Sequence, residues 1–395
     1  MAIARILVLT STLPARLGDG TPAFVADLAI AMGTEFEVRI IAPSVPGGAA
    51  YERLSETVDV VRYRYFPKRW EDVAAGAILE NVRSRKSRLL QIPPLLAALA
   101  RAIMRETRRF RPDAIHAHWI IPQGLVTRVA APRIPTVVTT LGGDLYALNS
   151  PPVRRAKTSV LRHAAAVTVM NEEMRLRAIS LGADAERTLV IPMGARLAAL
   201  EEEVGTSSPD GSPSPDPIRL LAVGRLVDKK GFDVLLSALA GASFPYRLHI
   251  VGDGPRRGAL ESQAAGMPVR FLGQLGREAL TEEYRSTDIA VFPSRRASTG
   301  DQDGLPVALL EAMGSGCAVV ASDLAGLNEA VEDAGSGLLV PEGDPAQLLD
   351  AIEELASDAS LRLRLGAGAR DRAESYSVEA VGERYRTLFR DALRL

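Results

Sequence analysis

"IRLLAVGRLVDKKGFDVLL", residues 218–236, changes character twice. It opens as an apolar run of strand length. A short loop follows with Gly224, Arg225, Lys229, Lys230 and Gly231, and helical spacing of apolar residues begins near Phe232. A run that is apolar throughout, without alternation, reads as a strand covered on both faces, as in a parallel sheet flanked by helices. The loop joining strand to helix is cationic: the chain has five lysines in 395 residues, and two stand side by side here. A helix start preceded by glycine, with Arg225 and Lys230 bracketing it, offers an anion free backbone N–H groups, the positive end of the helix dipole and two cations. A turn with solvated surface charges has the same composition, so the loop alone does not decide between the two.

The same grammar runs along the whole chain. Before the loop, strands are predicted at 5–10, 36–43, 113–118, 136–141, 165–170 and 188–193, with helical patterns such as 23–32 between them. After it, strands are predicted at 246–252, 269–275, 289–294, 317–322 and 337–343, with a helix at 232–240 among the intervening ones. Residues 200–217, "LEEEVGTSSPDGSPSPDP", have little to bury and read as a linker. The expected organisation is an N-terminal doubly wound α/β domain (1–199), the linker (200–217), a second such domain (218–376), and a terminal amphipathic helix (377–395) with Ser377 as its N-cap.

Composition bounds the function. Apolar residues make up 47% and charged residues 24%, as in globular domains. A formal net charge of −1 gives no case for nucleic acid. One cysteine, Cys317, excludes a disulfide framework and suits a reducing cytoplasm. The N-terminus reads as lacking a secretory signal, and no segment is long and apolar enough to span a bilayer. A nicotinamide-dependent oxidoreductase needs G-x-G-x-x-G straight after a strand; "TSTLPARLGDG" lacks it, and Gly252, Gly254 and Gly258 are one position out of register.

Two further junctions accompany the cationic loop. In "VGDGP" (251–255), Gly252 and Gly254 would let backbone approach a ligand, although a plain tight turn has the same residues. In "GDQDGLPVALLEAMGSG" (300–316), Pro306 stands where a helix begins and Gly314 or Gly316 where it stops. Asp303 then lies just before the first turn and Glu311 within the helix. Carboxylates at these two places can each accept hydrogen bonds from vicinal hydroxyls. Glu311 sits between Leu310 and Ala312, so its charge calls for a partner. Asp301-Gln302-Asp303 spells D-x-D, a pattern that can also bind a metal.

Taken in order, "GRLVDKKG…VGDGP…FLGQL…GDQDGLPVALLEAMGSG…SDLAGLNEAV…GLLVPEGD" resembles the C-terminal half of the family 4 retaining glycosyltransferases. A weaker likeness runs through "RPDAIHAHW" (111–119), "TTLGGDLYAL" (139–148) and "VIPMGA" (190–195). The resemblance implies the GT-B fold, two Rossmann-like domains facing across a cleft that holds a nucleotide-sugar, with the last helix crossing back to the N-terminal domain. It implies that Arg225 and Lys230 hold the donor diphosphate and that Asp303 and Glu311 bind the donor sugar and the ribose. It implies that backbone at Gly224, Gly304 and Leu305 faces sugar and phosphate, that Leu272 and Gln274 lie where the base is read, and that Gly18 and Gly20 form a phosphate-covering loop. Catalysis is assigned to Arg225, Lys230 and Asp303, with Gly252 and Gly254 also on the donor side. No metal or other cofactor is implied, because cations and helix ends neutralise the diphosphate.

Two departures stand out. Asp303 occupies a place where glutamate is usual. Leu141 stands where many relatives have a histidine that lines the sugar site, so nothing resting on that histidine carries over. Gly142, Gly143 and Asp144 are acceptor-side candidates, with Asp144 also fit to cap the following turn. His118, at a strand end, is a further acceptor-side candidate; His116 is equally readable as core.

The expected reaction is metal-independent transfer with retention from a UDP- or GDP-sugar to a hydroxyl of a glycan or lipid-linked acceptor. A non-catalytic nucleotide-sugar binder or a GT-B epimerase are the alternatives. Residues 83–111 hold nine basic residues against one acid, Glu106, with Arg101, Arg105 and Arg108 on one helical face and Leu95, Leu99 and Ile103 on another. Such a surface suits either an ordinary covering helix or peripheral contact with anionic lipid at the inner face of the membrane, with the protein cytoplasmic.

Overall fold

A computed structural model describes residues 3–16, 21, 23–74, 78–147, 149–197, 216–297 and 302–393. The chain divides into two compact units: Met1–Gly194 with Val378–Leu395, and Ala195–Ser377.

The first unit is built on eight strands: β1 (Arg5–Leu9), β2 (Glu37–Pro43), β3 (Tyr51–Arg53), β4 (Val58–Tyr63), β5 (Ala114–His118), β6 (Thr136–Thr139), β7 (Ala166–Val169) and β8 (Thr188–Val190), in the order β3-β4-β2-β1-β5-β6-β7-β8. The pairs are parallel except β3 with β4. The apolar runs did not announce this antiparallel edge. Its outer strand, Tyr-Glu-Arg, is three residues long and exposes Tyr51 and Arg53, as edge strands that resist further pairing do. Leu7, Leu9 and Ile115 pack on Leu95, Leu99 and Ile103 of the helix Ile92–Arg109. Arg101, Arg105 and Arg108 are exposed on its other side.

The terminal helix Val378–Leu393 belongs to this first unit. Its Phe389 ring lies 6.3 Å from Phe36. A side chain at Gly382 would come within 2.6 Å of the methyl of Ala31 in the helix Phe24–Met32, so glycine sets how closely the two helices approach. Buried Tyr385 places its hydroxyl 3.0 Å from Thr168 Oγ1 and 3.3 Å from Thr139 Oγ1.

The second unit holds six parallel strands: β9 (Ile218–Val223), β10 (Tyr246–Val251), β11 (Val269–Gly273), β12 (Ile289–Phe292), β13 (Ala318–Ser322) and β14 (Leu338–Val340), ordered β11-β10-β9-β12-β13-β14. Alternate residues of one strand serve two cores. Leu220 and Ala222 join Leu235, Leu239 and Ile352 on one face; Leu221 and Val223 join Leu309, Leu310 and Met313 on the other. That double burial is why the strands read as unbroken apolar runs. The order steps outward from β9 in both directions, β10 on one side and β12 on the other. Loops following β9 and β12 therefore meet at a topological switch point, the place where open α/β sheets bind ligands. Among the described residues, no helix is long and apolar enough to cross a membrane.

Candidate donor site

β9 ends at Val223, and Gly224 follows with φ 158°. A side chain at Gly224 would meet Lys230 Cε at 3.0 Å, so the lysine stem lies over a bare backbone. The loop tightens into a 3-10 turn, Asp228–Lys230, and reverses at Gly231 with φ 64°. A Cβ at Gly231 would sit 1.8 Å from the Pro293 carbonyl oxygen, leaving no residue but glycine there. The helix Phe232–Leu239 then begins.

Arg295, after β12, braces the turn. Its backbone N–H donates to Lys229 O at 2.9 Å, its Nε to Asp228 O at 3.1 Å, and its Nη2 to Asp233 at 2.9 Å. Gly252 and Gly254 brace it from β10. Added side chains would collide with Gly224 O at 2.0 Å and Leu226 O at 2.5 Å. These glycines were expected to admit a ligand; the close approach they allow here is to the chain's own backbone. Arg225 is exposed beside them.

Asp303 closes the site from the β12 side. Lys230 Nζ is 2.6 Å from its Oδ2 and Lys229 Nζ is 3.3 Å from its Oδ1; the three side chains are 13%, 22% and 14% exposed for Lys230, Lys229 and Asp303. Burial by itself would raise the Asp303 carboxyl. The two ammonium groups overcome that and hold it down at about 2. One carboxylate faced by two cations is a poor start for a metal site and a good one for an anion. Asp301, the other acid of the D-x-D, lies outside the described residues.

The helix Val307–Gly314 has Pro306 as N-cap and is followed by Gly316 at φ 76°. It carries Glu311, which is partly exposed, and the buried Tyr284 hydroxyl donates to its Oε2 at 3.2 Å. Tyr284 also lies 3.2 Å from Ala308 O. Burial, and then the Glu311 charge, push the Tyr284 phenol well above its ordinary value. Sequence reasoning asked for a partner to Glu311 and had no means of naming one 27 positions away. Gly304 is buried and Leu305 half-buried beside Asp303; Leu272 is half-buried on β11, with Gln274 exposed just past it. Lys229 and Arg295 were also missed as site residues. The adjacent lysines were the available signal for the first; nothing local marks the second.

The first unit holds the remaining candidates. Gly18 and Gly20 lie outside the described residues. Asp144 is buried, and its Oδ2 accepts from Ile120 N at 2.6 Å while Oδ1 accepts from Thr140 Oγ1 at 2.7 Å and Leu141 N at 3.3 Å. It does not cap the following turn, whose N-cap is Gly142 without a side-chain bond; both oxygens instead accept from the preceding Thr140 and Leu141 and from Ile120, just past β5. Gly142, at φ 108°, is buried and precedes the short helix Gly143–Tyr146. Gly143 is half-buried with open space where a Cβ would stand. His118 is 1% exposed and its ring lies 4.2 Å from that of His116. Burial pushes the His118 ring, one of the acceptor-side candidates, down to about 3. Tyr385 and Phe389 of the terminal helix stand 5.1 and 5.5 Å from the His116 ring, and Trp119 stands 6.2 Å from that of His118. His116 pairs with Thr139 Oγ1 at 2.7 Å.

Comparison with known proteins follows the same division. Residues 217–358 match a family model described as glycosyl transferases group 1, and residues 20–194 match one described as a glycosyl transferase 4-like domain. The chain is 33% identical over 283 residues to a D-inositol 3-phosphate glycosyltransferase of Geodermatophilus obscurus, covering 62% of this chain and 60% of that protein. It is 27% identical over 331 residues to a sulfoquinovosyl transferase of Arabidopsis thaliana, covering 79% of this chain and 63% of that one. The matches thus span somewhat under two thirds of these relatives' lengths. In fold, the chain is similar to a sucrose-phosphate synthase from Thermosynechococcus elongatus, with a TM-score of 0.77, 21% identity and 99% of each chain covered. It is also similar to HepE of Anabaena in complex with UDP-glucose, with a TM-score of 0.71, 20% identity, and 99% of this chain and 100% of that one covered. Two family models placed in the order of the two units, over sheets of the matching architecture, make this chain a member of the family 4 glycosyltransferases, with the GT-B fold.

Proposed function

We propose that this protein transfers a sugar, with retention and without a metal, from a nucleotide-diphosphate donor to a hydroxyl of a glycan or lipid-linked acceptor. The observation that carries the reading is the cationic turn at the switch point of the second sheet: Arg225 and Lys230 on one side, Asp303 and Glu311 on the other. A diphosphate leaving group gains negative charge as the glycosidic bond breaks, and fixed cations stabilise that charge most where water is excluded. Asp303, kept ionised, accepts hydrogen bonds from sugar hydroxyls. Glu311, held by Tyr284, accepts them from ribose. With no side-chain base at Leu141, front-face attack guided by donor phosphate oxygens is the retention route this chain's residues support. Uridine is the favoured base, since the name of one similar structure includes UDP-glucose.

A screen of nucleotides and nucleotide-sugars by thermal shift, followed by calorimetry, tests the site. Arg225→Gln and Lys230→Gln are expected to abolish the shift. Donor affinity held within about twofold, less than roughly 0.5 kcal/mol, overturns the reading. Transfer that survives EDTA and a product of unchanged anomeric configuration test the other two parts.

The acceptor is proposed to arrive at a membrane surface. Trp70, Leu89, Leu90 and Met104 are 53%, 55%, 75% and 40% exposed, close in sequence to Lys68, Arg69, Lys86, Arg101 and Arg105. The Arg69 guanidinium lies 3.9 Å over the Trp70 ring. Apolar side chains among cations suit anionic headgroups. Flotation with anionic vesicles at low salt is the check; a protein that stays at the bottom of the gradient retires the idea.

A further inference from the structure

We propose that Lys229 is a positioning residue that keeps the Asp303 carboxylate in place while Lys230 turns to the donor diphosphate; this rests on the donor-site reading above. The two ammonium groups do not share one oxygen. Lys230 takes Oδ2 at 2.6 Å, and Lys229 takes Oδ1 at 3.3 Å. Lys230 lies over Gly224, at the strand end where the diphosphate is placed, so its ammonium is the one that phosphate draws away. Were it the sole partner of Asp303, donor binding would strand a largely buried carboxylate, which burial alone drives toward the neutral acid. Lys229 removes that conflict. Its own backbone is pinned by Arg295 N–H on Lys229 O at 2.9 Å, and its ammonium lies on the Asp303 side of the turn.

Among the described residues, the charged groups that face Asp303 are Lys229 and Lys230, both from this turn. Arg296, near in sequence, donates from Nε to Gln302 Oε1 at 3.0 Å and from its backbone N–H to Glu342 at 2.7 Å. Asp303 thereby keeps its ionised, sugar-accepting form through a change of partner. The aspartate is one methylene shorter than glutamate, so its carboxylate stays close to its own backbone and within reach of a lysine on the facing turn.

The test uses the full chain with Lys229→Gln and Lys229→Arg, the nucleotide diphosphate alone, and the matching nucleotide-sugar. Lys229→Gln is expected to raise the donor KM at least tenfold while the diphosphate Kd changes less than threefold. The acidic limb of its kcat/KM profile should move up by a pH unit or more. Lys229→Arg should restore both, and melting curves of all variants establish that they fold. Equal losses of diphosphate and donor affinity would make Lys229 a direct phosphate ligand and overturn the proposal, as would an unmoved acidic limb. Failure of the donor-site reading itself shows separately, as Lys230→Gln leaving diphosphate affinity intact.

Discussion

Asp303 stands in the loop before a short helix and Asp144 in the first turn of one; both are largely removed from water, and they are handled in opposite ways. Burial raises both carboxyls. At Asp303 two ammonium groups reverse the effect and hold it at about 2. At Asp144 the opposing groups are mainly neutral donors, Ile120 N–H, Thr140 and Leu141 N–H, and burial wins, so its carboxyl stays above the ordinary value. A buried acid kept as an anion by lysine side chains is held by charge. One tied to backbone amides holds a loop in shape. The contrast separates an acid held by charged side chains from an acid used up by its backbone surroundings, a distinction that burial alone does not make.

The contrast can be broken from the cationic side first. Arg225→Ala or Lys230→Ala should lower kcat/KM by about 100-fold or more, the loss typical of removing one preorganised donor from a developing anion. Steady-state rates measure it; the melting temperature should stay close to the parent's for Arg225→Ala and fall for Lys230→Ala, which takes from Asp303 its nearer ammonium. Asp144→Ala should do the reverse. It strands two backbone donors, costing roughly 2–3 kcal/mol in a urea titration, while nucleotide affinity stays within about twofold.

Proton linkage sharpens the comparison through its sign. The Asp303 carboxyl is lower folded than its reference of 3.8, so its stabilisation is present above that reference and is lost as pH falls from there through about 2. The shift corresponds to about 2 kcal/mol. Asp144 is higher folded than unfolded, so its contribution is fully present below the unfolded value and fades as pH rises through the folded one. Urea midpoints against pH for Asp303→Asn and Asp144→Asn should therefore flatten in opposite directions. The smallest effect is expected at Tyr284→Phe, which removes the hydroxyl between Ala308 O and Glu311. A loss of about 1 kcal/mol is the ordinary worth of such a bond.

Much of this was legible in one dimension. The strands and junctions of the second unit follow from apolar runs broken by glycine, because strands covered on both faces tolerate little else. β3 escaped because an exposed three-residue edge strand carries no apolar run. Glycines announced tight geometry at Gly252 and Gly254 but not what came close; in the tertiary structure it is Gly224 and Leu226. The burial of His118 was out of reach for a related reason. Its position at a strand end says nothing about which groups fold over the ring.

The sequence by itself determined the alternation of strand and helix, the placing of Arg225, Lys229 and Lys230 on one turn, and the need of Glu311 for a partner. These are matters of local spacing, which composition and periodicity express directly. Only the tertiary structure decided that Asp303 faces both lysines from 73 and 74 positions away, that Tyr284 answers Glu311, and that Asp144 serves its own loop. Charge and burial at a carboxylate depend on atoms brought near by packing, and packing joins residues whose separation along the chain carries no trace of the contact.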